Sequence, residues 1–335
     1  MTFSIASRKI GPGHSPYMIA EIGINHGGDP QLAKDMIRAA AKSGADAVKF
    51  QVFKADQFIS RASEYYHIFQ DTELMAQVIA ELDAVAREVG ITIFSAVFDM
   101  ESAEAMRKVN AVAYKIASGD LTHLPLLRYV SKFGKPMILS TGGGTMAEVK
   151  AAVQAVKEAN RDTPLALMHC VSNYPTTPSD ANLACMSTMR SAFGLPVGFS
   201  DHTLGNATSI AAAALGAEML EKHFTLDRKM NGPDHALSAD PEEFADLVTS
   251  TRAAFEAVGR SEKAPVENAD FVKAIRRSVT AFVPVAKGVT LTRDMLAFKR
   301  PGTGIAPDDV DKVIGKKAAR DICEDQTLIW DDLEG

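Results

Sequence analysis

From about residue 17 to residue 258, short apolar runs rich in β-formers alternate with longer stretches whose apolar positions recur at helical spacing. The runs are Tyr17–Gly23, Ala47–Gln51, Ile91–Ser95, Ala113–Ile116, Pro136–Ser140, Pro164–Cys170, Val197–Phe199 and Met219–His223. Helical patterning fills Pro30–Lys42, Thr72–Val89, Thr145–Ala159 and Ala207–Leu215. The runs are apolar at nearly every position, as in strands of a parallel sheet covered on both faces. Eight such units in about 240 residues match the count and length of an α/β (β/α)8 barrel. A doubly wound sheet is the rival fold, but it uses fewer strands. Helix limits have local signals. Asp29-Pro30 sets a capping carboxylate before a proline at the first helical position, and Ser43-Gly44 closes that helix. Gly90, Gly134 and Gly216 stop three others.

The texture changes after Gly259. Residues 260–277 are polar and charged and read as a linker behind a barrel domain of residues 1–259. From Ser278 to residue 335 the apolar runs are short: Ser278–Val283, Val289–Leu291 and Leu328–Trp330. Lys287-Gly288, Pro301-Gly302 and Gly304 break them, as in a small β-rich module. A module of about 58 residues is near the lower limit for independent stability, so it is expected to pack on its own chain or on a partner.

Composition narrows the function classes. Of 335 residues, 46% are apolar and 23% charged, which excludes disordered, collagenous and disulfide-scaffold classes. The 42 acidic and 36 basic residues leave a net charge of −6, a poor basis for general nucleic-acid binding. No apolar stretch reaches the length of about 18 residues that a membrane span needs. The first 16 residues lack the apolar centre of a signal peptide. Cys170, Cys185 and Cys323 are odd in number and read as reduced thiols of a cytoplasmic protein.

In such a barrel the chemistry sits at the C-terminal strand ends. Those ends carry Glu21, Asn25 and His26; Lys49 and Gln51; Lys115, Ser118 and Asp120; Ser140; His169 and Tyr174; Ser200 and His202; Glu221 and His223. Burying so many polar groups unpaired is costly, so they are expected to ring a wet cavity. Lys49 and Lys115 lie in apolar strands and repel each other unless an anion lies between them. With Ser118, Ser140 and Ser200 they form a candidate phosphate or carboxylate site. The bland alternative has the lysines reaching solvent or pairing with Glu21 and Glu221. One lysine could instead form a Schiff base, as in barrel aldolases. His202 and His223 close adjacent strands and suit a divalent metal with open positions, or are simply satisfied strand-end histidines. No third ligand is adjacent in sequence, and H-E-x-x-H is absent. The glycine-rich turn Ser140–Gly144 is a weak phosphate-loop candidate at a helix entry. Cys170 reads as a buried structural thiol. His14, His67, His123 and His235 read as surface or loop residues. Met75, Met100, Met106, Met186 and Met189 read as core or helix packing.

Several of these segments resemble the signatures of the sialic acid synthase family, which includes the legionaminic acid synthases. They are Ala20–Gly28, Val48–Gln51, Tyr114–Asp120, Gly198–Thr203, Glu221–Asp227 and Gly232–His235, and Lys299–Ile305 resembles the appended antifreeze-like (SAF) domain. The resemblance runs through the whole chain in the right order. It implies condensation of phosphoenolpyruvate with an N-acetylated hexosamine to a nine-carbon 2-keto acid, with release of phosphate. By position, Lys49, Lys115, Ser118, Ser140 and Ser200 would hold phosphoenolpyruvate. His202 and His223 would bind Mn²⁺ or a similar divalent ion such as Mg²⁺ or Co²⁺, and no organic cofactor is implied. Glu21 would orient or deprotonate the attacking water. Gln51, Asp120, Tyr174 and Asp234 would line the sugar site. Arg300 would reach the sugar from the partner subunit of a domain-swapped homodimer.

The chain also departs from the family. Ser95-Ala96-Val97-Phe98 stands where a Ser/Thr-Pro-Phe motif is usual, so one hydroxyl is missing at Ala96. Weaker donor binding or compensation by Ser95 is expected. Ser172 and Asp120 also differ from some bacterial members, and Ser118–Thr122 and Ser172–Pro175 lie closer to the legionaminic acid branch, whose acceptor is a 2,4-diacetamido-6-deoxy hexose. N-acetylmannosamine remains the other acceptor. A lysine Schiff-base aldolase predicts borohydride trapping with pyruvate and indifference to chelators. A lapsed sugar-binding protein predicts binding without phosphate release.

Overall fold

A computed structural model describes residues 2–334. A hairpin, β1 (Phe3–Ile5) and β2 (Arg8–Ile10), precedes eight parallel strands. These are β3 (Tyr17–Gly23), β4 (Ala47–Val52), β5 (Thr92–Val97), β6 (Tyr114–Ile116), β7 (Met137–Ser140), β8 (Leu165–Cys170), β9 (Val197–Asp201) and β10 (Met219–His223). They close into a barrel in sequence order, with β10 hydrogen-bonded to β3. Helix α1 (Pro30–Lys42) follows β3, and α2 (Ala55–Phe58), α3 (Tyr66–Asp71) and α4 (Ala76–Glu88) follow β4. One helix then follows each strand: α5 (Met100–Lys108), α6 (Leu124–Ser131), α7 (Met146–Ala159), α8 (Ala184–Phe193), α9 (Ala207–Ala214) and α10 (Pro241–Val258). Among the described residues no helix is long and apolar enough to cross a membrane.

The capping signals act as their chemistry requires. The Asp29 carboxylate accepts from the backbone N–H groups of Gln31 and Leu32, and Pro30 opens α1. Gly44 then turns the chain at φ +83°, a left-handed conformation that costs glycine little. Thr72 is where patterning misleads. Its hydroxyl bonds the Ile68 carbonyl at 2.8 Å and ends α3, so α4 begins only at Ala76.

Strand alternation explains the site. Outward residues such as Met18, Ala20, Val48, Phe50, Leu139, Leu167 and Leu220 pack under the helices. Inward residues form a dry floor: Tyr17, Ile19, Ala47, Phe94, Ala113, Ile138, Ala166 and Met219, joined by Ile5 and Ile10 of the hairpin. Further along most strands the inward positions turn polar, as at Glu21, Lys49, Lys115, Ser140, Ser200 and Glu221, whereas β5 keeps an apolar Ala96 there. Of the five methionines read as packing, Met106, Met186 and Met189 are buried. Met75 and Met100 are not: they are 61% and 44% exposed.

Chain contacts separate a second compact unit beginning at Arg260. The stretch expected to be a linker contains a helix, α11 (Ala269–Ile275), because the Asn268 side chain caps the Phe271 N–H at 2.7 Å. None of its residues is buried. Strands β11 (Ser278–Ala281) and β12 (Leu296–Lys299) pair antiparallel, and α12 (Val310–Val313) follows. Isolated bridges connect the remaining segments. Val279, Ala281, Val285, Leu291, Val313, Ile322 and Leu328 give this unit a core of its own.

Candidate active site

Glu21, Lys49, Gln51, Lys115, Ser140, Ser200, His202, Glu221 and His223 converge on one cavity of about 290 Å³ at the C-terminal mouth of the barrel. Ser118, Cys170, Ser172 and Tyr174 complete its polar side, and Phe58, Phe69, Ala96, Phe98 and Ala117 its apolar side. Each inward strand residue arrives here through the same alternation that sends its neighbour under a helix.

Charge is concentrated at the floor. Glu221 Oε1 accepts from Lys49 Nζ (3.1 Å), Lys115 Nζ (3.1 Å) and Ser200 Oγ (3.0 Å). Lys49 also lies 3.3 Å from Glu21 Oε1, which takes a long 3.4 Å bond from Gln51 Nε2. The lysines are thus paired with the two glutamates, as the bland alternative has it, yet they face an open cavity. Glu21 Oε2 and Glu221 Oε2 are buried without a partner. Burial pushes the Glu21 carboxyl up, against the pull of Lys49. Burial also opposes the charge on Glu221, but Lys115 and Lys49 outweigh it and hold that carboxyl down. Burial disfavours both ammoniums: Glu21 and Glu221 overcome it at Lys49, which is raised, while Lys115 is lowered. Two carboxyls sharing one lysine are thereby pushed apart, the pattern of one proton-handling group beside one fixed charge.

The histidine rings stand 5.5 Å apart, with Tyr174 4.2 Å from His202. His202 Nδ1 donates to the Val171 carbonyl at 2.7 Å, which leaves the Nε2 lone pair free. His223 Nδ1 is buried without a hydrogen bond, 3.7 Å from Asp234 Oδ2. Burial, then the neighbouring His223, lowers His202 to about 4; burial, then Lys49, lowers His223 to about 3. Both rings are neutral at pH 7, the state that donates to a metal. Among the described residues no cluster of three or more His, Cys, Asp or Glu forms a complete metal cage.

Directly behind the histidines, on the outer face of the barrel, Lys222 donates to Asp201 (3.0 Å) and to the Thr203 carbonyl (2.8 Å). Asp201 also accepts from Thr203 N, Thr203 Oγ1 and Ser209 Oγ. Lys222 and Asp201 are register partners of β10 and β9, so this buried pair staples the strands one residue before His202 and His223.

The wall beside Lys115 is built from small polar groups. Gly142 N donates to Ser118 Oγ (3.1 Å), which lies 3.0 Å from Cys170 Sγ. A Cβ on Gly142 would stand 2.4 Å from Ser172 Oγ and 2.8 Å from both Cys170 Sγ and Ser118 Oγ, so only glycine leaves this cradle open. Cys170 is buried as expected, but its thiol lines the cavity. At the phosphate-loop candidate, Thr145 and Glu148 form a reciprocal capping box that uses the backbone N–H groups of Thr145 and Glu148 at the entry to α7. Ser95 does not replace the hydroxyl missing at Ala96. Ala96 faces the cavity, so Ser95 turns to the helix side, where its hydroxyl is buried without a partner.

Three expected site residues lie off the cavity wall. Asp234 approaches only through His223. Arg300 belongs to the second unit. Asp120 follows Gly119 of the wall, and burial, then Asp99, raises its carboxyl to about 6. Its folded pKa thus exceeds its unfolded one, so ionised Asp120 opposes folding above pH 6 and the penalty disappears below about pH 4. Asp120→Asn is therefore expected to stabilise the protein by about 1–2 kcal/mol at pH 7.5 and by nothing at pH 4, read from thermal melts. Equal gains at both pH values would show that the charge is not the cause. His235, expected at the surface or in a loop, lies in a short turn between β10 and α10 but is buried, 2.7 Å from Thr225 Oγ1.

Sequence reasoning passed over Glu221 as more than a lysine partner, along with the Phe58, Phe69 and Phe98 wall. The strand period puts Glu221 on the same face as His223. Phe58 and Phe69 come from the short helices α2 and α3, and Phe98 follows β5, segments too short to show a readable period.

Residues 36–263 match the NeuB family and residues 276–334 match the SAF domain. An uncharacterized protein of Methanocaldococcus jannaschii is 44% identical over 332 residues, 99% of this chain and 98% of its own length. The N,N'-diacetyllegionaminic acid synthase of Legionella pneumophila is 38% identical over 336 residues, 95% of this chain and 94% of its own. Among solved structures, an N-acetylneuraminic acid (sialic acid) synthetase of Leptospira borgpetersenii in complex with citrate matches with a TM-score of 0.77. It is 34% identical, over 81% of this chain and 93% of that one.

Proposed function

The chain belongs to the NeuB family, and from that premise we propose that it condenses phosphoenolpyruvate with an N-acetylated hexosamine to a nine-carbon 2-keto acid and phosphate. The observation that carries this reading is the pair of buried lysines, Lys49 and Lys115, facing one cavity with Glu21, His202 and His223. An anionic donor fits between the ammoniums, with Ser118, Ser140 and Ser200 directing hydrogen bonds to its oxygens. The donor methylene carbon attacks the aldehyde carbon of the open-chain sugar: the enol and carbonyl π bonds break, the new C–C bond forms, the former enol carbon becomes oxocarbenium-like, and the resulting alkoxide takes a proton from solvent. Water adds at the former enol carbon, with Glu21 accepting its proton. Burial raises the Glu21 carboxyl and so suits it to holding that proton. The carbon–oxygen bond that carries the phosphate then breaks while the hydroxyl left by the water gives its proton to the departing phosphate, leaving the ketone and phosphate, whose charge the lysines offset.

The donor set fits a divalent ion of the Mn²⁺ type. His202 Nε2 keeps a free lone pair, His223 Nδ1 is an orphaned buried atom, and both rings are neutral. When bound, such an ion would act as a Lewis acid toward the sugar aldehyde. Gln51 and Tyr174 line the sugar side, with Asp120 and Asp234 beyond them. Arg300 would come from the second unit of a partner in a domain-swapped homodimer, which light scattering tests against a monomer of 335 residues. The Legionella relative supports a 2,4-diacetamido-6-deoxymannose as acceptor; N-acetylmannosamine is the alternative.

The test is phosphate release from phosphoenolpyruvate and Mn²⁺ with each sugar, with and without EDTA. Release is expected to require sugar, to stop with EDTA and to return with added Mn²⁺. The lowered ammonium of Lys115 favours a second reading, a Schiff-base aldolase. Borohydride trapping with pyruvate and indifference to EDTA would replace the first reading by the second.

A further inference from the structure

Two buried ion pairs sit within one residue of each other at the barrel mouth, and they are built differently. The Lys222–Asp201 pair faces the helices, and each oxygen of Asp201 is hydrogen-bonded. That is how a structural pair is finished. Glu221 faces the cavity instead. Its Oε1 takes all three donors, Lys49, Lys115 and Ser200, and its Oε2 is buried without any. Glu221 is only 4% exposed, so water does not screen it from the lysines 3.1 Å away.

The carboxylate therefore occupies the place between the two ammoniums where an anionic donor would bind. We propose that Glu221 is a resident anion that competes with the donor for Lys49 and Lys115. In the empty site it holds the two like charges together. When the donor arrives, the ammoniums turn to the donor's phosphate or carboxylate oxygens, and they return to Glu221 as phosphate leaves. The backbone stays fixed, because β10 and β9 are paired at Glu221 and Ser200 and again at Lys222 and Asp201. Glu221 is thus a positioning residue that acts through the lysines and weakens donor affinity in exchange for product release. This inference rests on the donor pocket proposed above.

Glu221→Gln tests it, since the amide oxygen still accepts a hydrogen bond while the competing charge is gone. Titration calorimetry without sugar, using phosphoenolpyruvate and inorganic phosphate separately, is expected to give Kd values about tenfold lower than those of the parent protein. Steady-state kinetics should show a lower KM for phosphoenolpyruvate, a lower kcat and stronger inhibition by phosphate, with KM for the sugar unmoved. A carboxylate serving only to scaffold the lysines predicts the reverse: weaker binding of both anions. Weaker or unchanged binding overturns the inference. If the glutamine variant does not fold, Glu221→Asp decides, because its carboxylate is withdrawn from the lysines by one methylene. Donor binding tighter than the parent's is then expected, and equal or weaker binding overturns the inference. Lys49→Met separates the two levels of the argument. If the parent binds both anions no better than Lys49→Met, the donor pocket itself falls. If binding needs Lys49 but Glu221→Gln does not tighten it, only the resident-anion role falls.

Discussion

Lys115→Met is expected to lower kcat/KM for phosphoenolpyruvate by about 10²–10³-fold, the range found when one preorganised donor is removed from a developing charge. Lys115 is 2% exposed and reaches the cavity from the three-residue strand β6, 3.1 Å from Glu221. Methionine keeps the length and apolar stem of the side chain but removes the ammonium. Glu221 would keep its bonds from Lys49 and Ser200, so the fold should survive. The loss should therefore appear in donor kinetics with little change in melting temperature. Lys115→Arg should not rescue activity, because a planar, forked guanidinium does not reproduce the compact point charge of the ammonium beside Glu221. Full activity in Lys115→Met would remove Lys115 from the chemistry.

Lys222→Met acts on stability instead. It strands the Asp201 carboxylate, 1% exposed, with hydrogen bonds but no counter-charge. Breaking a buried pair from one side costs about 3–5 kcal/mol. For a unit of this size that is a fall in melting temperature of about 10 °C. The double variant Lys222→Met/Asp201→Leu should recover much of the loss, since the orphaned charge is then gone. The contrast with Lys115→Met is the check. Both lysines are buried in barrel strands, yet one should move kinetics and the other melting. Equal melting temperatures for Lys222→Met and the parent protein would show that the pair staples nothing.

That contrast also marks how far the chain could be read unaided. The barrel was legible because its strands are apolar at nearly every position and its helices carry caps such as Asp29-Pro30 and Gly44. Lys49, Lys115, His202 and His223 stood out as charged or polar groups closing apolar runs, and the structure gathers them in one cavity. Lys222 also lies in an apolar strand, but one step along that strand sends it to the opposite face, into the pair with Asp201. What the pattern did not carry is tertiary. The helix expected from Thr72 starts at Ala76 because a threonine hydroxyl closes the preceding turn. Ser95 could stand in for Ala96 only if neighbours on a strand shared a face. Three-residue strands such as Phe3–Ile5 are too short to show a period, so the hairpin under the barrel floor was invisible.

One time course bears most directly on the proposed condensation: phosphate and 2-keto acid counted together from phosphoenolpyruvate, Mn²⁺ and the diacetamido sugar, with the product weighed by mass spectrometry. Equimolar phosphate and a nine-carbon keto acid, both absent when the sugar is omitted, are the expected result. Phosphate without the nine-carbon product, or neither product with this sugar or with N-acetylmannosamine, would contradict it.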